Sequence, residues 1–231
     1  NQYIAPINVT THTVIRASVF REGYIPSTPV THTYFINHRP INHPVISIST
    51  DAKYFFDNTI GIYIAGTNGI TGMCSDNPVN WNQDWERTIN FEYFDKSQKQ
   101  QINQLTGTRI NGNCSRTKAM KSLGIYAEDK YGDDLFEHQF FNYKKNLQQK
   151  NFVLRNAGNE WNVTMIREAF HHKLAEGRLN IDYLEYQPAV VFINGAYYGI
   201  HNIREKPGDD YLWSNYRVNT DSVDVLYNNA W

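Results

Sequence analysis

Two apolar runs meet at Asn194-Gly195 in the stretch "AVVFINGAYYGIHNI", and this junction limits the fold more than any other feature of the chain. Asn-Gly tolerates the left-handed backbone of a type I′ turn, whose twist matches that of two antiparallel strands. The stretch therefore predicts a β-hairpin. A second segment, "WERTINFEYF", alternates cleanly. Trp85, Arg87, Ile89, Phe91 and Tyr93 share one face, and Glu86, Thr88, Asn90 and Glu92 the other. The pattern predicts a half-buried strand with its glutamates in solvent, so they are not taken as a catalytic acid–base pair.

The remaining elements follow from shorter signals. "VISIS", "IGIYIAG", "KSLGIYA" and "FVLRN" are expected strands, and "DAKYFFD" a helical turn. "VTMIREAFHHKLAEG" is the best helix. Ile166, Phe170 and Leu174 mark its expected buried face, Asn162 or Thr164 its cap, and Gly177 its stop. The order of elements says α+β. Residues 1–37 are expected to be the end of a β-sandwich module, a hairpin turning at Gly23 and Pro26 that needs a further sheet for stability. Residues 38–44, with Pro40 and Pro44, are the expected linker. A second domain is expected over 45–231. Within it, "TNGITGMCSDNPVNWNQD" is either a lid or binding loop or a disordered insertion.

Composition excludes some functions. A net charge of −1 over 231 residues lacks the broad basic surface that non-specific nucleic-acid binding needs. No apolar run approaches the roughly 18 residues of a transmembrane helix. No signal segment opens the sequence, so any export signal or anchor is expected to lie outside it. The two cysteines, Cys74 and Cys114, fit no zinc spacing. They are expected as separate buried thiols, with pairing in an oxidising compartment left open.

The stretch "RINGNCSRTKAMKS" holds Arg109, Arg116, Lys118 and Lys121 and no acid. Strand parity puts Lys121 on the face of Leu123, Ile125 and Ala127, an apolar side where a lysine is expensive without a partner. Glu205, on the face of Tyr197 and Ile203, is the natural candidate. Gly112, Asn113 and Ser115 have the composition of an anion-binding nest. The alternative is a solvated hairpin with snorkelling basic side chains. The eight histidines are scattered and are expected to be structural, and a single Glu168-x-x-His171 does not make a di-iron site. His-Glu-x-x-His, nucleophile-elbow and Walker-type motifs are absent. No metal site is expected. Trp81, Trp85 and the many tyrosines suggest an alternative, a non-catalytic cell-surface module that stacks on glycans.

Three stretches together resemble the spore-coat CotH kinase family. They are "GTRINGNCSRTKAMKSLGIYA", "FVLRNAGNEWNVTMIREAF" and "PAVVFINGAYYGIHNIREK". The first hairpin resembles the end of a chitobiase C-terminal-type β-sandwich. The family resemblance implies a divergent protein-kinase-like domain with an N-lobe-like mixed sheet and a packed helix. It also implies an extracytoplasmic location, ATP and Mg²⁺ as cofactors, and an exported protein substrate. Carried over by position, Lys121 is the strand lysine that holds nucleotide phosphates. Arg109, Ser115 and Arg116 belong to the loop beside it, and Glu205 is the hairpin acid near the nucleotide. Arg155 and Arg167 match further family positions. Gly124, Ala119 and His201 depart from the family pattern. Asp209, Asp210, Asp221 and Asp224 match none of the family's metal-binding acids, which are needed for phosphoryl transfer. Either the sequence is a truncated piece or the protein has lost its catalytic half. The resemblance thus implies the nucleotide-binding portion of an atypical kinase, with no catalytic residue expected in this chain and no activity expected of it alone.

Overall fold

The computed structural model describes residues 2–36, 41–144 and 146–226. Its strands are β1 (Thr13–Ala17), β2 (Val30–Tyr34), β3 (Val45–Ser49), β4 (Ile70–Gly72), β5 (Ser75–Val79), β6 (Arg87–Phe94), β7 (Gln100–Asn111), β8 (Ser122–Tyr126), β9 (Phe136–Glu137), β10 (Gln148–Gln149), β11 (Asn151–Arg155), β12 (Tyr186–Ile193) and β13 (Ala196–Arg204). The α-helices are α1 (Ala52–Phe56), α2 (Arg167–Ala175) and α3 (Asp209–Tyr216). Residues 38–40 of the expected linker lie outside the described residues, as does residue 37 before it.

Seven strands close into a barrel in the order β11-β13-β12-β3-β6-β7-β8. Every neighbouring pair is antiparallel except β12 with β3. The expected N-lobe-like mixed sheet is thus corrected to a barrel, because β11 pairs with both β8 and β13 and leaves no open edge. The mixed α+β composition stands. Period-two alternation fills the interior: Ile46 and Ile48, Ile89 and Phe91, Leu123 and Ile125, Phe152 and Leu154, Ala189 and Val191 all belong to one buried cluster. Asn194 and Gly195 have φ of 50° and 82° at the β12–β13 turn, as Asn-Gly predicts.

Five local expectations change. "IGIYIAG" is not a strand. The backbone N–H groups of Gly61, Ile62 and Tyr63 donate to the carbonyls of Asp57, Tyr54 and Phe55, so no strand partner is left to them. The polar face of β6 is only partly in solvent: Thr88 is exposed, but Asn90 and Glu92 are buried. The hairpin β1–β2 docks there, with the Thr33 N–H donating to Glu92 Oε1 at 3.1 Å and Gln100 Nε2 donating to the same oxygen at 2.8 Å. Burial raises the Glu92 carboxyl, which is 0 % exposed. The hairpin's expected need for another sheet is met in part by this barrel face.

On α2 the expected apolar face points outward. Ile166, Phe170 and Leu174 are exposed, while Ala169 and Ala175 are buried. Ions set this orientation: Glu168 Oε2 accepts from Arg155 Nε at 2.6 Å, and Glu168 Oε1 lies 3.5 Å from Arg204 Nη2. The helix starts after Ile166 without a side-chain cap, so neither Asn162 nor Thr164 supplies one. Finally, Cys74 and Cys114 are joined in a disulfide, with Cα atoms 5.0 Å apart, because "TNGITGMCSDNPVNWNQD" folds as the β4–β5 hairpin and brings its tip to the β7–β8 loop. The expectation of separate thiols is overturned.

Candidate functional site

The β7–β8 loop begins where Gly112 takes φ of 101°. A Cβ there would lie 2.2 Å from Ser115 Oγ, so only glycine lets the chain turn over the buried serine. A 3₁₀ turn, Cys114–Thr117, follows. Arg116 Nε donates to the Gly112 carbonyl, and its Nη1 donates to the carbonyls of Trp81 at 3.2 Å and Asn82 at 3.4 Å. The guanidinium thereby joins the loop to the base of the β4–β5 hairpin.

Lys121 is 3 % exposed, as strand parity predicts. Its Nζ donates to the carbonyls of Arg116 at 2.6 Å and Lys118 at 3.0 Å, and lies 3.8 Å from the centroid of the Trp81 ring. Its partners are thus dipoles and a π-face rather than a carboxylate. Burial pushes the ammonium down to about 8. The Lys121 carbonyl accepts from His201 Nε2 at 3.1 Å. Burial holds His201 at about 4, so the ring is neutral and the Nε2–H tautomer fits this bond.

The expected Lys121–Glu205 pair does not form. Glu205 accepts from Lys144 Nζ at 2.8 Å, from the Glu185 N–H at 2.8 Å and from Asn215 Nδ2 at 2.9 Å. Lys144 also donates to the Tyr183 carbonyl and the Tyr211 hydroxyl. Sequence reading missed this buried pair because Lys144 lies in an irregular loop with no parity to place it. Arg109 is turned to the outside of the barrel, where Glu86 Oε2 at 2.9 Å and Asp84 Oδ1 at 3.4 Å hold it. Trp81 and Trp85, the aromatic residues of the glycan-binding alternative, are partly buried and pack against the barrel core.

Arg116 and Ser115 do share a cleft of about 660 Å³ with residues that follow β11. Gly112, Ser115 and Arg116 form one wall, and Arg155, Gly158 and Asn159 the other. Met73 and Cys114 complete the rim. No acidic residue lines the cleft among the described residues. Arg155 Nε is spent on Glu168, while both of its Nη groups lack partners among the described residues. Gly158 has φ of 59°, and a Cβ on it would sit 2.8 Å from Arg155 Nη2.

Asn156 ties the two walls together. It is fully buried, and its Oδ1 accepts from Ser122 Oγ at 2.8 Å and the Gly158 N–H at 2.9 Å. Its Nδ2 donates to the Met120 carbonyl at 2.6 Å. The run "LRNAG" carried the signal, since an Asn two residues before a glycine is a turn-former with its own hydrogen bonds.

The family model for CotH kinase proteins matches residues 108–229. The chain belongs to the CotH kinase protein family. No curated protein matches the chain. The matched CotH segment contains both walls of the cleft, α2, the β12–β13 hairpin and Glu205. The N-terminal hairpin and strands β3 to β6 lie before it.

Proposed function

We propose that this chain is the nucleotide-binding portion of an exported CotH-family protein kinase, with the nucleotide phosphates held in the cleft between the β7–β8 loop and the Arg155–Asn159 turn. One observation carries the reading: a cleft lined by Arg116 and Arg155 and, among the described residues, by no acidic side chain, with Gly112 and Gly158 on its two walls. Planar guanidinium donors, which can meet two phosphate oxygens at once, and close backbone approach suit a phosphate. Lys121 acts through the loop in this reading. It satisfies two loop carbonyls and so fixes the 3₁₀ turn that carries Ser115 and Arg116. ATP fits this donor set.

Mg²⁺ does not fit it. The nearest carboxylate by bonding, Glu168, is already shared between Arg155 and Arg204. Among the described residues no cluster of three or more acidic, histidine or cysteine side chains is arranged to hold a metal. No phosphoryl-transfer step is assigned to this chain, whose part is to bind and orient. The Cys74–Cys114 disulfide supports an oxidising, extracytoplasmic location, where such bonds persist. An exported protein remains the proposed acceptor. The N-terminal hairpin is read as the end of a β-sandwich module, since Phe20, Val30 and Tyr34 stay exposed on it.

Calorimetry with ATP tests the reading, in the presence and absence of Mg²⁺ and at two salt concentrations. One saturable site is expected, weakened by salt. Arg155→Ala should lose about 10- to 100-fold in affinity, the worth of charge-assisted hydrogen bonds. No heat, or binding indifferent to Arg116→Ala and Arg155→Ala, would sink it.

A further inference from the structure

The β4–β5 hairpin, at the rim of the cleft, is firmly held at its base and weakly held at its tip. All three residues of β4 are exposed, and the ladder holds only the pairs Ile70↔Val79 and Gly72↔Ser75. An isolated two-stranded hairpin of this size is marginal in water. At its base Arg116 donates to the Trp81 and Asn82 carbonyls, Asn82 Nδ2 donates to the Ile70 carbonyl, and the buried Asn80 accepts from the Asn68 N–H and donates to the Asn58 and Gly61 carbonyls. Its tip is different. Among the described residues no hydrogen bond or ion pair joins Met73 or Cys74 to the β7–β8 loop. The disulfide to Cys114 is the tether, and it bridges 40 residues of sequence. Met73 and Cys114 both line the cleft, and Cys114 opens the 3₁₀ turn that presents Ser115 and Arg116.

We infer that the Cys74–Cys114 disulfide is a redox strap that holds the β4–β5 hairpin as a wall of the anion cleft, so that reduction weakens phosphate binding. This rests on the nucleotide reading of the same cleft. The exchange is a two-electron step with a dithiol reductant. A thiolate of the reductant attacks one sulfur of the strap, the S–S bond breaks, and a mixed disulfide forms. The second reductant thiolate resolves it, leaving a cyclic disulfide on the reductant and two protonated thiols on Cys74 and Cys114. Cys74 lies on the exposed hairpin tip, open to such a reagent. Once the bond is cut, Met73 and the hairpin tip leave the rim, and the turn carrying Arg116 loses a fixed end. Preorganisation falls, and affinity with it.

Two measurements on the full chain test this. Pyrophosphate is titrated by calorimetry into oxidised protein, dithiothreitol-reduced protein and Cys74→Ser. Backbone hydrogen exchange is followed over Ile70–Val79 and over the barrel strands. Reduction and Cys74→Ser should each weaken pyrophosphate about tenfold, speed exchange in the hairpin and leave β6 and β12 protected. Reoxidation should restore both readouts for the wild type alone. Equal affinity in oxidised and reduced protein overturns the strap and leaves the nucleotide reading intact. Unchanged hairpin exchange also overturns it. No pyrophosphate binding by oxidised protein overturns the nucleotide reading and the redox control of it together. Protected barrel strands in Cys74→Ser separate loss of the strap from loss of the fold.

Discussion

Replacing Lys121 by methionine should remove a distinct pH dependence from the stability of this protein. In the folded chain burial lowers the ammonium from 10.5 to about 8. A shift of that size corresponds to about 3.4 kcal/mol between the two protonation states. The sign follows from proton counting. Between the folded and unfolded values the unfolded chain binds the extra proton, so stability rises with pH. From pH 7 to pH 9.5 the gain is about 2 kcal/mol. At pH 7 itself the net effect of Lys121→Met is small. Relief of the burial cost opposes the loss of donors to the Arg116 and Lys118 carbonyls, at about 1–3 kcal/mol each. The slope is therefore the discriminating quantity. Urea unfolding of wild type and Lys121→Met at half-unit pH steps gives the difference curve, in which other titrating groups cancel. Tyr63, raised to about 12 by burial, stays neutral in the folded state across this window. A flat difference curve would refute the assignment of a buried, acid-free ammonium.

Three further substitutions probe the surroundings. Gly158→Ala places a methyl against Arg155 Nη2 at a φ of 59°, and should cost about 1 kcal/mol in thermal unfolding while weakening pyrophosphate in calorimetry. Glu92→Gln tests the docking of the N-terminal hairpin. The raised Glu92 carboxyl adds most stability at low pH and loses it as pH rises through its folded value, so the wild type should fall relative to Glu92→Gln as pH rises above the ordinary carboxylate value of 4.5 in urea unfolding. Glu168→Gln removes the carboxylate that Arg155 and Arg204 share and should destabilise by about 1–3 kcal/mol, with part of the lost Tm restored by saturating pyrophosphate.

What the sequence disclosed was what parity and turn chemistry control. Asn194-Gly195 announced its hairpin, and the alternation of Ile89, Phe91 and Tyr93 announced the core face of β6. The burial of Lys121 followed from its place two residues before Leu123. What it withheld was long-range. Barrel closure depends on β11 pairing with β8 on one side and β13 on the other, and no local pattern encodes that. β7 was missed because its interior positions include Thr106 and Thr108, both fully buried, where an apolar alternation was sought. The orientation of α2 was lost because two arginines outweigh three apolar side chains. At the cleft, Ser115 and Arg116 were legible as one wall. The opposite wall comes from residues about 40 positions later, and Arg109 and Glu205 found partners elsewhere. Lys121 needs no acid, because carbonyls and an indole face hold its ammonium.

The central claim is that the cleft between the β7–β8 loop and the Arg155–Asn159 turn binds phosphate oxygens. Amide chemical-shift mapping during a titration with ATP tests it at residue resolution. The account predicts saturable shifts concentrated at Gly112–Arg116 and at Gly158 and Asn159, absent in Arg155→Ala. Shifts clustered elsewhere on the molecule, or no shifts at millimolar ATP, would contradict it.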